Sequence, residues 1–455
     1  MLNRRDWLAT AGALSAAVSA QGQTRKPNFV VIMSDDQGSH DLGCYGAADV
    51  KTPHIDQLAA SGVRFTNWYS CAPVCAPSRA ALQTGRYPVR AGVGANGLPL
   101  GLNQHTLPSR LKQAGYATGL IGKWHLGSTP DTVPNARGYD YFYGFLPGCV
   151  DFYSHIYYWG ESNPQSRTVN FHSLYRDREE IWEDGQYLTE RITAEATGFI
   201  DAHGSEPFFL CVTYNAVHYP MHAPAKYKRR FPNLEPERQT YAAMLAAMDD
   251  GVGAIRQTLS RHGLLDNTLI FFVADNGATT EPRAGLNQQP ATAGDNGVYR
   301  GFKFSLFDGG MHVPGIMSWP ARIQPGQVNR QLVMTMDIAP TIWNVAGAAP
   351  EPGYHVDGRD ILPVAARAAP SPHTTLFWEN GKQAAARKGR WKLVLNGNEY
   401  GRTPETRGEA KGEDAVWLSD LEADPGERRN LRHARPEIAD ELQSAIHVWK
   451  EDTRK

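Results

Sequence analysis

The chain reads as an α/β protein: a large, mostly parallel sheet sandwiched by helices, followed by a smaller α+β unit with an antiparallel sheet. Three observations predict this. Short uninterrupted runs rich in Val, Ile and Phe suit strands buried on both faces. Segments with helical apolar spacing lie between them, and such alternation implies a parallel sheet. Four of the apolar runs end in polar or charged residues, and open sheets bind ligands beyond the carboxyl ends of their strands.

The first run, Asn28 to Met33, leads into Ser34-Asp35-Asp36-Gln37. Tyr116 to Ile121 leads into Gly122-Lys123-Trp124-His125, and Phe208 to Thr213 into Asn215 and His218. Thr268 to Ala274 leads into Asp275-Asn276-Gly277. Helices are expected over Thr52 to Ala60, Leu107 to Gln113, Gly185 to Ala202 and Thr240 to Ser260. Residues 278 to 300, rich in Gly, Asn, Gln, Pro and Thr, read as a long loop near the chemistry. A smaller unit is expected from about residue 350, dividing the chain into 26–349 and 350–455. Its expected strands are Thr374 to Trp378, Ala384 to Arg387 and Trp391 to Leu395, and Pro436 to Lys450 closes the chain as a helix.

A length of 455 residues allows more than one domain. The net charge of −1 offers no basic field for nucleic acid or an anionic membrane, so a bound anion must be held by a local site. Residues 1–20 read as a signal peptide: Arg4-Arg5, an Ala/Gly-rich segment, then Val18-Ser19-Ala20. The paired arginines point to the twin-arginine route, and hence to an exported, periplasmic or secreted protein. The apolar part is too short to span a membrane comfortably. Cys44, Cys71, Cys75, Cys149 and Cys211 lack zinc-site spacing and are too few for a disulfide scaffold. Their pairing stays open.

Asp35, Asp36, Asp275 and Asn276 are hard oxygen donors, suited to calcium or magnesium rather than zinc. Adjacent carboxylates after a strand repel one another without a cation. Each pair alone is as well explained by a turn or helix cap; two pairs after apolar runs favour a metal. Cys75 stands just before Pro77, a residue favoured in a first helical turn. A helix starting there aims free N–H groups at the position of Cys75. Arg79 follows about one turn on. Lys123 and His125 are two apart, so an extended chain would send both to one side.

The stretch CAPVCAPSRAALQTGR, residues 71–86, contains Cys75-x-Pro77-x-Arg79 and then Thr84-Gly85. Cys71 also begins Cys-Ala-Pro, but Cys75 stands where its arginine would be, so register selects Cys75. This motif resembles the signature of the type I, formylglycine-dependent sulfatases of the alkaline phosphatase superfamily. Gly122-Lys123-Trp124-His125-Leu126-Gly127 is similar to a second signature of that family. The spacing of Lys303 to Asp308-Gly309-Gly310 is similar to a third. The motifs span roughly residues 26–345, and Val416 to Leu431 resembles the strand, turn and helix that close many sulfatases.

The resemblance implies an alkaline-phosphatase-like fold and hydrolysis of a sulfate monoester. Cys75 would be converted to formylglycine (3-oxoalanine) by a formylglycine-generating enzyme, and its hydrate would attack sulfur. Asp35, Asp36, Asp275, Asn276 and the modified Cys75 would surround one divalent ion, with a roomy site favouring calcium over magnesium. Arg79 would hold the hydrate, Lys123 would bind sulfate, and His125 would take the proton that lets sulfate leave. His218 and Lys303 would support the leaving oxygen. Two departures stand out: Asp308 where the family often has Glu, and His312 where it often has Arg. His312 is therefore expected in the substrate pocket.

Residues 139–159 are strongly aromatic and resemble the corresponding part of arylsulfatases acting on sulfated N-acetylgalactosamine. A packed aromatic cluster explains part of this stretch. A platform for sugar rings explains the rest, with Asp151, Tyr153 and His155 hydrogen-bonding hydroxyls. The expected substrate is a sulfated sugar or glycan. The alternatives are a phosphate or phosphonate monoester hydrolase of the same superfamily, or a secreted carbohydrate-binding protein without turnover.

Overall fold

A computed structural model describes residues 25–159 and 171–455. The expected signal segment, residues 1–20, lies outside the described residues. Its core is a ten-stranded sheet ordered β11-β2-β10-β9-β1-β8-β4-β5-β6-β7. The strands are β1 (Asn28–Ser34), β2 (Val63–Phe65), β4 (Ala117–Lys123), β5 (Tyr141–Phe145), β6 (Tyr175–Arg176), β7 (Glu179–Glu180), β8 (Phe208–Thr213), β9 (Thr268–Ala274), β10 (Gly315–Ser318) and β11 (Gln327–Asn329). A separate short pair joins β3 (Trp68–Tyr69) to β12 (Val333–Met334).

The five central strands, β9, β1, β8, β4 and β5, run parallel. β10 pairs antiparallel with β9 and β2, which makes the sheet mixed. β1, β8 and β9 are buried along their whole length, as their unbroken apolar runs require. One apolar core lies on each face. Helices Leu188–His203 and Pro236–Arg261 cover one side, and Cys75–Thr84, Leu107–Gln113 and Ile338–Ala346 pack on the other.

The expected strands and helices recur with shifts of a few residues at their ends. Helix Pro236–Arg261 begins four residues before the expected Thr240, with Pro236 in its first turn. Between Val416 and Leu431 the structure forms one strand, β16 (Val416–Asp420), followed by turns. No helix forms within that stretch, whereas the terminal helix expected over Pro436 to Lys450 is present as Pro436–Thr453.

β16 completes a second sheet with β13 (Leu376–Asn380), β14 (Gln383–Lys388) and β15 (Trp391–Leu395), all antiparallel. Helix Pro436–Thr453 covers one face through Leu442 and Ile446, which pack with Leu393 and Leu418. The other face packs through Trp378 and Val394 against Tyr69 of the short pair β3-β12. A buried charged seam joins the two. Lys392 of β15 reaches Asp308 and Glu427, Asp308 accepts from the Tyr69 hydroxyl at 2.7 Å, and Arg387 reaches the same hydroxyl. Asp308 is thus spent on holding the sheets together. All five cysteines are separate thiols.

Candidate active site

Four neighbouring parallel strands end at one place. β9 delivers Asp275 and Asn276, β1 delivers Asp35 and Asp36, β8 leads to His218, and β4 ends at Lys123 with His125 two residues on. Their registers pair Ser34 with Ala274, Met33 with Thr213 and Gly122 with Thr213, so the polar ends emerge level. At His125 the chain turns instead of continuing extended, with φ 58°. Asp36 takes φ 55°, a left-handed conformation that Asp and His tolerate better than most residues.

Helix Cys75–Thr84 faces this edge with its first residue, and every one of its residues is buried. Cys75 Sγ lies 3.7 Å from Asp35 Oδ1; the sulfur marks where the formylglycine oxygens would stand. Burial pushes the Cys75 thiol up, so an unmodified Cys75 stays protonated and is a poor nucleophile at neutral pH. One turn on, Arg79 donates to Asp275 Oδ2 from Nε at 3.1 Å and from Nη2 at 2.8 Å. Its Nη1 donates to the Lys123 carbonyl at 3.1 Å, which ties the helix to β4.

Lys123 Nζ is 2.6 Å from Asp35 Oδ2. Lys303 Nζ is 2.9 Å from Asp36 Oδ2, 2.8 Å from Glu281 Oε2 and 3.4 Å from His218 Nε2. Burial opposes the charge of Lys303, yet Asp36 and its other acidic neighbours hold its pKa well above the usual range. His218 Nδ1 pairs with the Tyr219 carbonyl at 2.8 Å, which leaves Nε2 turned to Lys303. Burial, with Lys303 and Lys123 nearby, keeps His218 well below its ordinary pKa. Burial and Lys123 do the same for His125, neither of whose ring nitrogens has a hydrogen-bond partner among the described residues.

The donor set fits a hard divalent cation. Asp35, Asp36, Asp275 and Asn276 are all at most 1% exposed. Burial pushes Asp36 up to about 7 and raises Asp275, the signature of carboxylates packed together without enough positive charge. Asn276 donates to Asp36 Oδ1 at 2.7 Å, but its own Oδ1 is buried without a partner among the described residues. Ligand atoms of Asp35, Asp36, Cys75 and His218 all lie within 4.8 Å of one another. A divalent ion here would take oxygens from Asp35, Asp36, Asp275 and Asn276.

A pocket of about 190 Å³ opens above this edge, lined by Cys75, His125, His218 and Lys303 together with Tyr157, Trp159, Tyr219 and Glu281. The first four are sequence-predicted catalytic residues. Arg79 and Lys123 lie beneath them, fully engaged with carboxylates. The four residues expected to bind substrate are placed elsewhere. Asp151 caps a turn by accepting from the Tyr153 and Ser154 amides, and it pairs with His222 at 3.2 Å. Tyr153 packs on Tyr187 and His222. His155 is wholly buried beside His172. His312 lies in the seam, stacked on Tyr299, with Nε2 2.9 Å from the Thr66 carbonyl.

Glu281 was missed. It comes from the loop at 278–300, and only the fold carries that loop to Lys303. Its carboxylate is fixed by the Tyr219 hydroxyl at 3.2 Å and the Thr279 hydroxyl at 3.1 Å. The sequence signal was limited to the loop's composition. Tyr157 and Trp159 do come from the aromatic stretch expected to face the cleft.

A parallel sheet with acids, amide and cations at its carboxyl edge defines an ester hydrolase of the alkaline phosphatase superfamily. The sulfatase family model matches residues 27–348, and the model for the C-terminal region of N-sulphoglucosamine sulphohydrolase matches residues 294–452. Arylsulfatase J of Mus musculus is 30% identical over 95% of this chain and 78% of its own length. N-acetylgalactosamine-6-sulfatase of Canis lupus familiaris is 32% identical over 95% of this chain and 87% of its own. The crystal structure of Ps i-CgsB in complex with k-i-k-neocarrahexaose superposes with a TM-score of 0.81, at 31% identity, covering 94% of each chain. The chain belongs to the sulfatase family: it is a type I sulfatase, a sulfuric ester hydrolase. Membership implies a divalent metal ion and a formylglycine at the motif cysteine.

Proposed function

We propose that this protein removes sulfate from a sulfated carbohydrate, using formylglycine made from Cys75 by a maturation enzyme and a calcium ion held by Asp35, Asp36, Asp275 and Asn276. The observation that carries the reading is the placement of Cys75 at a helix start, on the floor of a pocket walled by His125, His218 and Lys303. The modified residue supplies an oxygen nucleophile, and the ion lowers the cost of its negative charge. All other roles belong to side chains in view.

Arg79 and Lys123 hold Asp275 and Asp35 in place. Lys123 also brings positive charge to the sulfate position beside Cys75. Lys303 and His218 face one another at 3.4 Å and draw from a shared proton supply for the leaving oxygen. His125 is held neutral and has no hydrogen-bond partner among the described residues, the state of a base ready to accept a proton as sulfate departs.

Calcium is preferred over magnesium because the donors are all oxygens, fixed by fold and salt bridges rather than arranged around retained waters. Tyr157, Trp159 and Tyr219 support a sugar substrate: Trp159 and Tyr219 meet edge to face at 5.7 Å and form an aromatic rim. The relatives named for N-acetylgalactosamine sulfate, and the neighbour bound to a neocarrahexaose, support the same class. Export through the twin-arginine route, to the periplasm or beyond, accords with the Arg4-Arg5 start.

The test is sulfate release from a panel of defined sulfated sugars and one aryl sulfate, with protein made alongside a formylglycine-generating enzyme. Release that Cys75→Ala abolishes is expected. Full turnover by Cys75→Ala, or none by wild type with the aldehyde verified by peptide mass, overturns the reading.

A further inference from the structure

Away from the pocket, two buried histidines and a carboxylate form a second cluster. His155 is 0% exposed and His172 4%, and ligand atoms of His155, His172 and Asp184 all lie within 4.8 Å of one another. None of the three lines the pocket that holds Cys75. The cluster has the construction of a transition-metal site. Each ring has one nitrogen engaged and one idle. His155 Nε2 is 3.2 Å from the Gln186 carbonyl, and His172 Nδ1 is 2.9 Å from Glu180 Oε1. His155 Nδ1 and His172 Nε2 are buried with no hydrogen-bond partner among the described residues.

Metal-binding histidines share this pattern: the remote nitrogen donates to a carbonyl or carboxylate, which fixes the tautomer and leaves the other lone pair for the ion. A pair of buried imidazole nitrogens left bare is costly unless something takes them up. The backbone holds the pair rigidly. Ser173 N donates to the His155 carbonyl at 3.0 Å, and His155 sits at φ 56°. Trp182 stacks on the His172 ring at 3.8 Å and is 65% exposed, and Asp184 is exposed, so the cluster lies close to solvent.

We propose that His155, His172 and Asp184 form a second metal site for a borderline divalent transition ion, zinc foremost, separate from the oxygen-rich catalytic site. Two imidazoles and one carboxylate make three ligands of a tetrahedral zinc site, the fourth position taken by water. The hard, all-oxygen catalytic set favours calcium or magnesium, so the two sites sort ions by ligand type. Zinc here ties the turn at Asp184 to the segment that continues from His155 into Tyr157 and Trp159 of the aromatic rim.

The experiment is a zinc titration of the full chain against a chromophoric chelator, in excess calcium to occupy the catalytic site. One zinc per chain is expected, with a rise in the thermal unfolding midpoint. His155→Gln and His172→Gln should each abolish it. Asp184→Asn should weaken it, and Glu180→Gln, which removes the negative charge behind His172, should weaken it roughly tenfold to a hundredfold. Circular dichroism checks folding; if a histidine variant fails to fold, Asp184→Asn and Glu180→Gln decide, since both side chains reach solvent. Absence of zinc binding at micromolar concentration overturns the proposal. So does binding that none of the folded variants weakens. Neither result bears on sulfate release, which is read separately.

Discussion

The carboxyl edge of the large sheet and the seam beneath the small one both bury acids beside bases, yet they do different work. At the edge, Asp35, Asp36, Asp275 and Glu281 face Arg79, Lys123 and Lys303, one negative charge in excess. At the seam, Asp308 and Glu427 face Lys392 and Arg387, in balance. The edge opens onto a pocket, where Asn276 Oδ1 and both His125 ring nitrogens have no hydrogen-bond partner among the described residues. Lys392 in the seam is 0% exposed. A divalent ion turns the deficit at the edge into a surplus of one positive charge, which matches a sulfate monoester. In the seam the charges already cancel, although Glu427 Oε1 and His312 Nδ1 are also buried without a hydrogen-bond partner among the described residues. Composition cannot separate the two networks; charge balance and access to solvent do.

The largest effect should come from Asp275→Ala, which removes a proposed metal ligand and the nearest carboxylate of Arg79. Turnover should fall by about a thousandfold or more, since roughly 4 kcal/mol of charge stabilisation corresponds to that factor. Steady-state kinetics on an aryl sulfate checks this. If activity survives, the edge is a structural network like the seam.

Lys392→Met should do the reverse. It strands Asp308 and Glu427 and should cost about 3–5 kcal/mol of stability, read by denaturant unfolding. The folded fraction should keep its kcat/KM, because Lys392 lies outside the pocket. A large loss of kcat/KM would join the two networks.

His312 sharpens the contrast through pH. Burial, with Arg387 nearby, pushes it down to about 4 despite Asp308. The unfolded chain, titrating near 6.5, binds more protons than the native state between these values, so stability rises with pH across that window. The contribution is complete above about pH 6.5 and is lost as pH falls to about 4, on the order of 3 kcal/mol in all. Unfolding free energies of wild type and His312→Gln should converge towards low pH. Parallel curves would show that His312 is not held neutral.

The smallest effect is expected from Glu281→Gln. It frees Lys303 of a competing carboxylate at 2.8 Å and raises the positive charge of the pocket by one. A phosphate monoester carries nearly two negative charges at neutral pH against one for a sulfate ester, so its relative kcat/KM should rise, about tenfold with solvent in the open pocket screening most of the Coulomb gain. An unchanged ratio on matched aryl esters would mean that solvent screens Glu281.

The motifs made the catalytic edge legible. Asp35, Asp36, Cys75, Arg79, Lys123, His125, His218, Asp275, Asn276 and Lys303 all lie within or directly beneath it, because strand ends and a helix start are local features. The residues expected to bind substrate lie outside the pocket that holds Cys75, and for a common reason. Asp151, His155 and His312 are polar side chains in loops, and nothing local says whether such a group faces a cleft, caps a turn or packs inside. Glu281 escaped notice because its partner, Lys303, is brought to it by loop folding rather than by spacing.

The sequence alone determined the order of the polar strand ends along the chain and the candidate positions for nucleophile and hard ligands, since apolar runs and short motifs encode them within a few residues. Only the tertiary structure decided which acids share one edge, that Asp308 and His312 belong to a seam, and that His155 meets His172. Those facts depend on contacts between segments far apart in sequence, through burial and charge pairing that no local pattern records.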